Sequence, residues 1–135
     1  MTSIKNCKLV QLPKISDPRG NLTFVESDKH IPFKIQRAYY LYDIPGGSDR
    51  GGHAHKKLQQ LMIALSGSFD VHLDSGLEKS SWRLDRPYIG LLICPMVWRT
   101  ISNFSSGAVC LVLASMEYDE NDYYREYDEF IKNAS

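Results

Sequence analysis

The chain has 135 residues, a length typical of one domain with its own hydrophobic core. Sixteen basic and sixteen acidic residues cancel, so the overall charge indicates neither a nucleic acid nor a membrane as partner. The three cysteines follow no disulfide or metal-binding spacing, and there is no apolar signal segment or membrane-spanning stretch. These features predict a single cytoplasmic domain over residues 1–135.

The first part of the chain is predicted to form short strands separated by turns. Strands are expected at 9–12, 21–26 and 35–42, where β-branched and aromatic residues are frequent. Residues 17–20 have the proline and glycine composition of a turn. In the third strand Ile35, Arg37, Tyr39 and Leu41 share one face, because successive side chains on a strand point to opposite sides.

The rest of the chain continues this pattern and ends in a predicted helix. Strands are expected at 58–65, 68–74, around residue 82, and at 89–94, 98–101 and 108–114. His72 falls on the polar face of the second of these, which excludes it from a buried site. A helix is predicted over 120–130, because acidic residues at its start suit the helix dipole. About ten strands and one terminal helix predict an all-β antiparallel sandwich or small barrel.

His53 and His55 follow a pair of glycines and precede an apolar run. On a strand they point the same way, roughly 7 Å apart, and the flanking sequence favours the entrance of a pocket. An exposed pair at the end of a strand is the alternative. Two adjacent imidazoles can bind a metal or move protons near neutral pH. His55 lies deeper in the strand, so we expect it to be better shielded and the stronger candidate for a catalytic base.

The histidine segment resembles the first cupin motif, and residues 94–103 resemble the second. Gln60 stands where metal-binding cupins usually carry glutamate, and Arg99 stands at the position of the third metal-binding histidine. A guanidinium is a poor metal ligand, because it is always protonated and has no acceptor lone pair. The two histidines fall short of the three protein ligands usual in an open catalytic site. We therefore expect no bound metal.

Six ordered stretches span nearly the whole chain: Asp17-x-Arg19-Gly20-Asn21-Leu22, Ile31-Pro32-Phe33, Arg37-x-Tyr39-Tyr40, Arg50-Gly51-x-His53-Ala54-His55-Lys56-Lys57-Leu58, Pro95-x-Val97-Trp98 and Tyr118-Asp119-Glu120-x-Asp122-Tyr123. By these stretches the chain is similar to the cupin-type sugar 3,4-ketoisomerases that act on dTDP-4-keto-6-deoxyglucose. The resemblance implies a cupin jelly-roll β-sandwich with a short C-terminal helix, a homodimer, and no metal or other cofactor. It also implies a dTDP-linked sugar substrate and a dTDP-3-keto-6-deoxyhexose product, an intermediate towards the 3-amino sugars of surface polysaccharides.

The ketoisomerase reaction defines which residue types the site needs. A base removes the proton on C3, an enediol forms, and a proton is delivered to C4; an imidazole is suited to this work. A guanidinium, from Arg19 or Arg99, would stabilise the enediolate, and other cations would bind the diphosphate. The predicted catalytic residues are His53, His55 and Arg99, and the predicted substrate-binding residues are Arg19, Arg37, Tyr39 and Arg50.

Other functions and one stereochemical question stay open at this point. The same residues are compatible with a metal-dependent cupin oxygenase, a 3,5-epimerase of the same substrate, or a cupin that binds sugar nucleotides without turnover. Members of the resembled family differ at Arg99 and near Arg19, and this difference bears on the C4 configuration of the product. The acidic C-terminal segment, with seven acids after position 116, argues against a nucleic-acid surface.

Overall fold

The structure is a computed structural model that describes residues 4–134. Strands are its main regular structure, with two short 3-10 helices at Ile4–Asn6 and Glu120–Asp122. The strands and the single α-helix are β1 Lys8–Gln11, β2 Lys14–Asp17, β3 Gly20–Thr23, β4 Arg37–Leu41, β5 Arg50–His55, β6 Gln60–Ser66, β7 Phe69–Asp74, β8 Lys79–Leu84, β9 Ile89–Ile93, β10 Trp98–Ser102, β11 Val109–Ala114, β12 Tyr123–Tyr124 and α1 Tyr127–Asn133. Among residues 4–134, no helix has the length and apolar character needed to cross a membrane.

Two antiparallel five-stranded sheets form the body of the domain. Their strand orders are β1-β9-β6-β11-β4 and β12-β5-β10-β7-β8. The core between them draws Phe69 and Val71 from one sheet and Ile93 and Val112 from the other, all nearly inaccessible to solvent. Inward apolar side chains alternate with outward polar ones along β7, as expected when one face of a sheet covers a core. The prediction of an all-β antiparallel sandwich with a C-terminal helix is confirmed.

The histidine strand β5 lies between β10 and β12, and a shift in the β5–β10 register sets its position. Arg99 pairs with His53, but the next residue, Thr100, pairs with Gly51, so the register shifts between them. Gly51 has a φ of 88°, and a Cβ there would lie 3.0 Å from the Arg99 carbonyl oxygen. Only glycine tolerates both conditions without strain. The shift therefore explains the glycine before the histidines and places Arg99 directly beside His53.

Two predicted elements differ from the structure. The predicted strand 21–26 ends at Thr23, and its partner β2 was not predicted; β2 and β3 pair only with each other. The predicted helix 120–130 is wrong: residues 120–124 form a 3-10 turn and the short strand β12, and α1 begins at Tyr127. The Asp122 carboxylate accepts the backbone N–H groups of Lys57 and Leu58, and this distant contact holds the segment against β5 instead.

Candidate active site

A cavity of about 420 Å³ opens between the two sheets. Its floor is apolar, with Met62, Ile101 and Val112, and a volume of this size suits a small-molecule ligand. Polar side chains from both sheets converge on it. They are Tyr39, Arg50, His53, Gln60, Arg99 and Tyr123.

His53 is the histidine that lines this cavity. It is half-buried, and its ring centroid lies 4.9 Å from that of His55 and 5.2 Å from that of Tyr123. Burial and then the neighbouring Arg99 guanidinium lower the pKa of His53 to about 4. A neutral imidazole at pH 7 keeps the lone pair that a general base needs. His53 is therefore ready to accept a proton from a ligand in the cavity.

His55 lies behind His53 and is fully buried. Its Nδ1 lies 3.2 Å from Asp122 Oδ2, and its Nε2 is buried without a hydrogen-bond partner in the described structure. Burial first, and Arg99 second, lower its pKa. The prediction that His55 is shielded from solvent is confirmed. The same burial means that His55 does not line the cavity. Because His53 lines the cavity and His55 does not, we prefer His53 to His55 as the candidate for the base.

Asp122 contacts this site but was not among the site residues predicted from the sequence. Its carboxylate is 5% exposed and accepts hydrogen bonds from the backbone N–H groups of Lys57, at 2.8 Å, and Leu58, at 3.2 Å. Because a carboxylate only accepts, His55 Nδ1 carries the hydrogen and Nε2 bears the lone pair of the neutral ring. Asp122 thus fixes the tautomer and orientation of His55. Its motif was recognised, but it was assigned to a helix that does not form.

Arg99, one of the predicted catalytic residues, lines the same cavity as His53. It is 1% exposed, and its Nε and Nη2 donate to the Val97 carbonyl at 3.3 and 3.0 Å. Burial lowers its pKa to about 10, so the guanidinium stays protonated at neutral pH. The third donor, Nη1, hydrogen-bonds Gln60 Oε1. Gln60 Nε2 in turn donates to the Tyr39 hydroxyl at 3.0 Å, and burial raises the pKa of Tyr39.

The other predicted arginines occupy three different places. Arg50 is exposed at the cavity rim. Arg37 does not line the cavity; its guanidinium lies 5.3 Å from the Tyr39 ring, with Nε and Nη2 buried and unpartnered in the described structure. Arg19 lies outside the cavity, 90% exposed and paired with Asp17 at 2.7 Å. The β2–β3 hairpin, which carries Arg19 in its turn, pairs with neither large sheet. The predicted role of Arg19 in stabilising the enediolate therefore has no support within one chain.

Tyr123 and Arg125 line the cavity but were not among the predicted site residues. The Arg125 guanidinium lies 4.0 Å from the centre of the Tyr123 ring and forms an ion pair with Glu120. Both residues follow Asp122 in the segment wrongly predicted as helical. The signal that could have identified them is the run of tyrosines and charges after position 117.

The donor set does not fit a metal. Within the described range 4–134, no group of three or more His, Cys, Asp or Glu side chains is arranged to hold a metal ion. His55 Nδ1 faces Asp122, and Arg99 lines the cavity at the position that the cupin resemblance assigns to a third metal ligand. A protonated guanidinium offers no lone pair there. The described side chains of this cavity therefore lack the three donors that an open catalytic metal site usually has.

The low pKa of His53 predicts how kcat/KM and the free energy of unfolding depend on pH. An ordinary histidine titrates near 6.5, whereas His53 titrates near 4 in the folded protein. We expect kcat/KM to stay level as the pH falls from 8 to well below 6.5, because the base remains neutral. Between these two pKa values the unfolded state binds more protons, so the free energy of unfolding should fall as the pH falls. An acidic limb of kcat/KM near 6.5 would contradict this assignment.

Comparison with known proteins agrees with the geometry. The family described as "FdtA: WxcM-like, C-terminal" matches residues 5–135. A TDP-4-oxo-6-deoxy-alpha-D-glucose-3,4-oxoisomerase from Aneurinibacillus thermoaerophilus is 48% identical over 125 residues, which cover 93% of this chain and 90% of that protein. Two similar solved structures are also named ketoisomerases.

One of these structures is a histidine-to-asparagine variant of the 3,4-ketoisomerase QdtA from Thermoanaerobacterium thermosaccharolyticum, in complex with TDP-4-keto-6-deoxyglucose. It is 43% identical, with a TM-score of 0.93 and coverage of 96% of this chain and 94% of that one. The other is the TDP-quinovose 3,4-ketoisomerase WlaRB from Campylobacter jejuni, 48% identical, with a TM-score of 0.92 and coverage of 96% and 100%. The chain therefore belongs to the FdtA family of WxcM-like proteins.

Proposed function

We propose that this protein is a 3,4-ketoisomerase of dTDP-4-keto-6-deoxyglucose and forms a dTDP-3-keto-6-deoxyhexose. The observation that carries the proposal is that a neutral His53 and the buried, protonated Arg99 are paired on neighbouring strands and line the same cavity. This pair supplies a base and a cation within one small cavity. The named activities of the similar proteins supply the substrate class.

The first chemical step is removal of the proton on C3. His53 accepts this proton on its lone pair, and the electrons of the C–H bond form the C3–C4 double bond of an enediolate. The negative charge develops on the oxygen at C4. Arg99 lies beside His53 and is shielded from water, so its charge would stabilise that oxygen more strongly than it would in water.

The second step exchanges protons and completes the isomerisation. The hydroxyl proton on the C3 oxygen moves to the C4 oxygen, the imidazolium of His53 returns its proton to C4, and the carbonyl is left at C3 with His53 neutral again. Tyr39 faces the cavity, and its hydroxyl accepts from Gln60 Nε2, so its own hydrogen remains available to a bound sugar. His55 and Asp122 support His53 from behind, because the two imidazole rings meet edge to face.

Product analysis in deuterated water tests this proposal. Purified protein is incubated with dTDP-4-keto-6-deoxyglucose, and the product is followed by NMR. We expect the carbonyl to move to C3 and the hydrogen on C5 to be retained. Deuterium at C5 would identify a 3,5-epimerase instead. Metal analysis of protein purified without a histidine tag separates both from a metal-dependent oxygenase, which requires a stoichiometric metal.

Arg50 and Arg37 are the proposed diphosphate-binding residues. Arg50 stands at the cavity rim, and Arg37 offers two buried donors without a partner. Replacing Arg50 with alanine should weaken binding of dTDP by ~1.5–3 kcal/mol, the range for a lost charged hydrogen bond. Calorimetry measures this, with Arg83→Ala on the outer strand β8 as the control. Equal affinity of wild type and Arg50→Ala would remove Arg50 from the site.

We further propose that the protein acts as a homodimer in the cytoplasm, as the family resemblance implies. Apolar side chains that a monomer would leave in water support the assembly. Ile15 and Leu22 on the β2–β3 hairpin are 57% and 56% exposed, and Leu65 on β6 is 46% exposed. Sedimentation equilibrium at assay concentrations should give twice the mass of the chain, and a monomer would contradict the proposal.

A further inference from the structure

The buried side chain of Gln60 lies between Arg99 and Tyr39 in the cavity wall and contacts both. Arg99 Nη1 donates to its Oε1, and its Nε2 donates to the Tyr39 hydroxyl oxygen at 3.0 Å. A guanidinium has only donors, so the amide oxygen must face Arg99 and the amide nitrogen must face Tyr39. The Tyr39 oxygen therefore acts as an acceptor towards Gln60, and the hydroxyl hydrogen of Tyr39 is not used in this contact.

The neutrality of Gln60 determines how much of the Arg99 charge reaches the cavity. The remaining Arg99 donors bond only to the neutral carbonyl of Val97. None of the ion pairs formed within residues 4–134 includes Arg99. With an amide partner, the guanidinium keeps a full positive charge in a site shielded from water. A carboxylate at the same place would neutralise it at short range.

We propose that Gln60 is a positioning residue that keeps the Arg99 charge and the Tyr39 hydroxyl hydrogen directed at the bound sugar. This inference rests on the proposed ketoisomerase function and deepens it. Glutamate has almost the same shape as glutamine, but at position 60 it would pair with Arg99 and accept the Tyr39 hydroxyl hydrogen. Both groups would then be occupied within the protein when the enediolate forms.

The Gln60→Glu variant tests the role of charge. We expect kcat to fall at least about tenfold, because the enediolate loses its cation and its hydrogen-bond donor. Arg99 also lowers the pKa of His53, so neutralising it should move the acidic limb of kcat/KM upwards by about one pH unit. A change in packing alone would not move this limb. Wild-type kcat together with a wild-type limb would overturn the proposal.

The Gln60→Met variant is the matched neutral control. Methionine has a similar volume but forms neither hydrogen bond. Arg99 therefore keeps its charge, but neither its guanidinium nor the Tyr39 hydroxyl is held in a fixed orientation. We expect kcat to fall several-fold with little change in KM and with the acidic limb where it is in wild type. A Gln60→Met enzyme with wild-type kcat would overturn the positioning role. A limb that moves as far as in Gln60→Glu would overturn the charge argument.

An NMR titration of His53 in the ligand-free protein separates this inference from the proposed function. Wild-type protein that fails to convert dTDP-4-keto-6-deoxyglucose would refute the function. The titration would still decide the inference, since the His53 pKa should rise in Gln60→Glu and stay low in Gln60→Met. An unchanged His53 pKa in Gln60→Glu would overturn the inference whatever the activity. If circular dichroism shows that Gln60→Glu does not fold, kcat of Gln60→Met decides the outcome.

Discussion

Replacing His53 with asparagine should lower kcat at least ~100-fold and leave the affinity for dTDP nearly unchanged. Asparagine keeps a polar side chain of similar reach but cannot accept the C3 proton near neutral pH. His53 lines the cavity, whereas the nucleotide is expected to bind to the arginines at and beside its rim. Steady-state kinetics and calorimetry with dTDP measure the two quantities separately.

His55→Asn is the matched comparison for this variant. His55 is fully buried, and its contact with Asp122 at 3.2 Å is inside the protein. We expect His55→Asn to lower the thermal midpoint, because Asp122 loses a partner, and to reduce kcat less than His53→Asn does. If His55→Asn abolishes turnover while His53→Asn remains active, the base is His55, as the strand position alone had indicated.

Arg99→Met should reduce kcat by roughly 10²–10³-fold, the range for removal of one oxyanion-stabilising donor. Methionine fills the buried space without charge, so the domain should remain folded. The acidic limb of kcat/KM should also move upwards, because the Arg99 guanidinium contributes to the low pKa of His53. Kinetics across pH and circular dichroism of the same preparation measure both effects.

Two further variants complete this test. Arg83→Met removes an exposed arginine on β8 that pairs with Asp70, and its activity should match wild type. Arg99→His retains a polar donor, so it should keep part of the activity and change the proportion of C4 epimers seen by product NMR. An active Arg99→Met enzyme that forms the wild-type product would return Arg99 to a purely structural role.

Local patterns were sufficient for most of the fold and for the centre of the site. The alternation along β7 correctly placed His72 outside the site, where it bonds the hydroxyls of Ser81 and Ser102. The same rule placed His53 and His55 on one side of β5, and their rings do meet. These predictions succeeded because a strand's side-chain period depends only on the local backbone.

Contacts between distant segments decided the rest. Acidic residues after position 118 favoured a helix locally, but Asp122 reaches the backbone of Lys57 and Leu58 and holds its segment as a strand beside β5. The same contact buries His55 and leaves His53 to line the cavity. Sequence alone therefore determined most of the strands, the histidine pair and the candidate arginine beside it. Only the tertiary structure showed which histidine lines the cavity, because the burial of His55 involves a carboxylate 67 residues away along the chain.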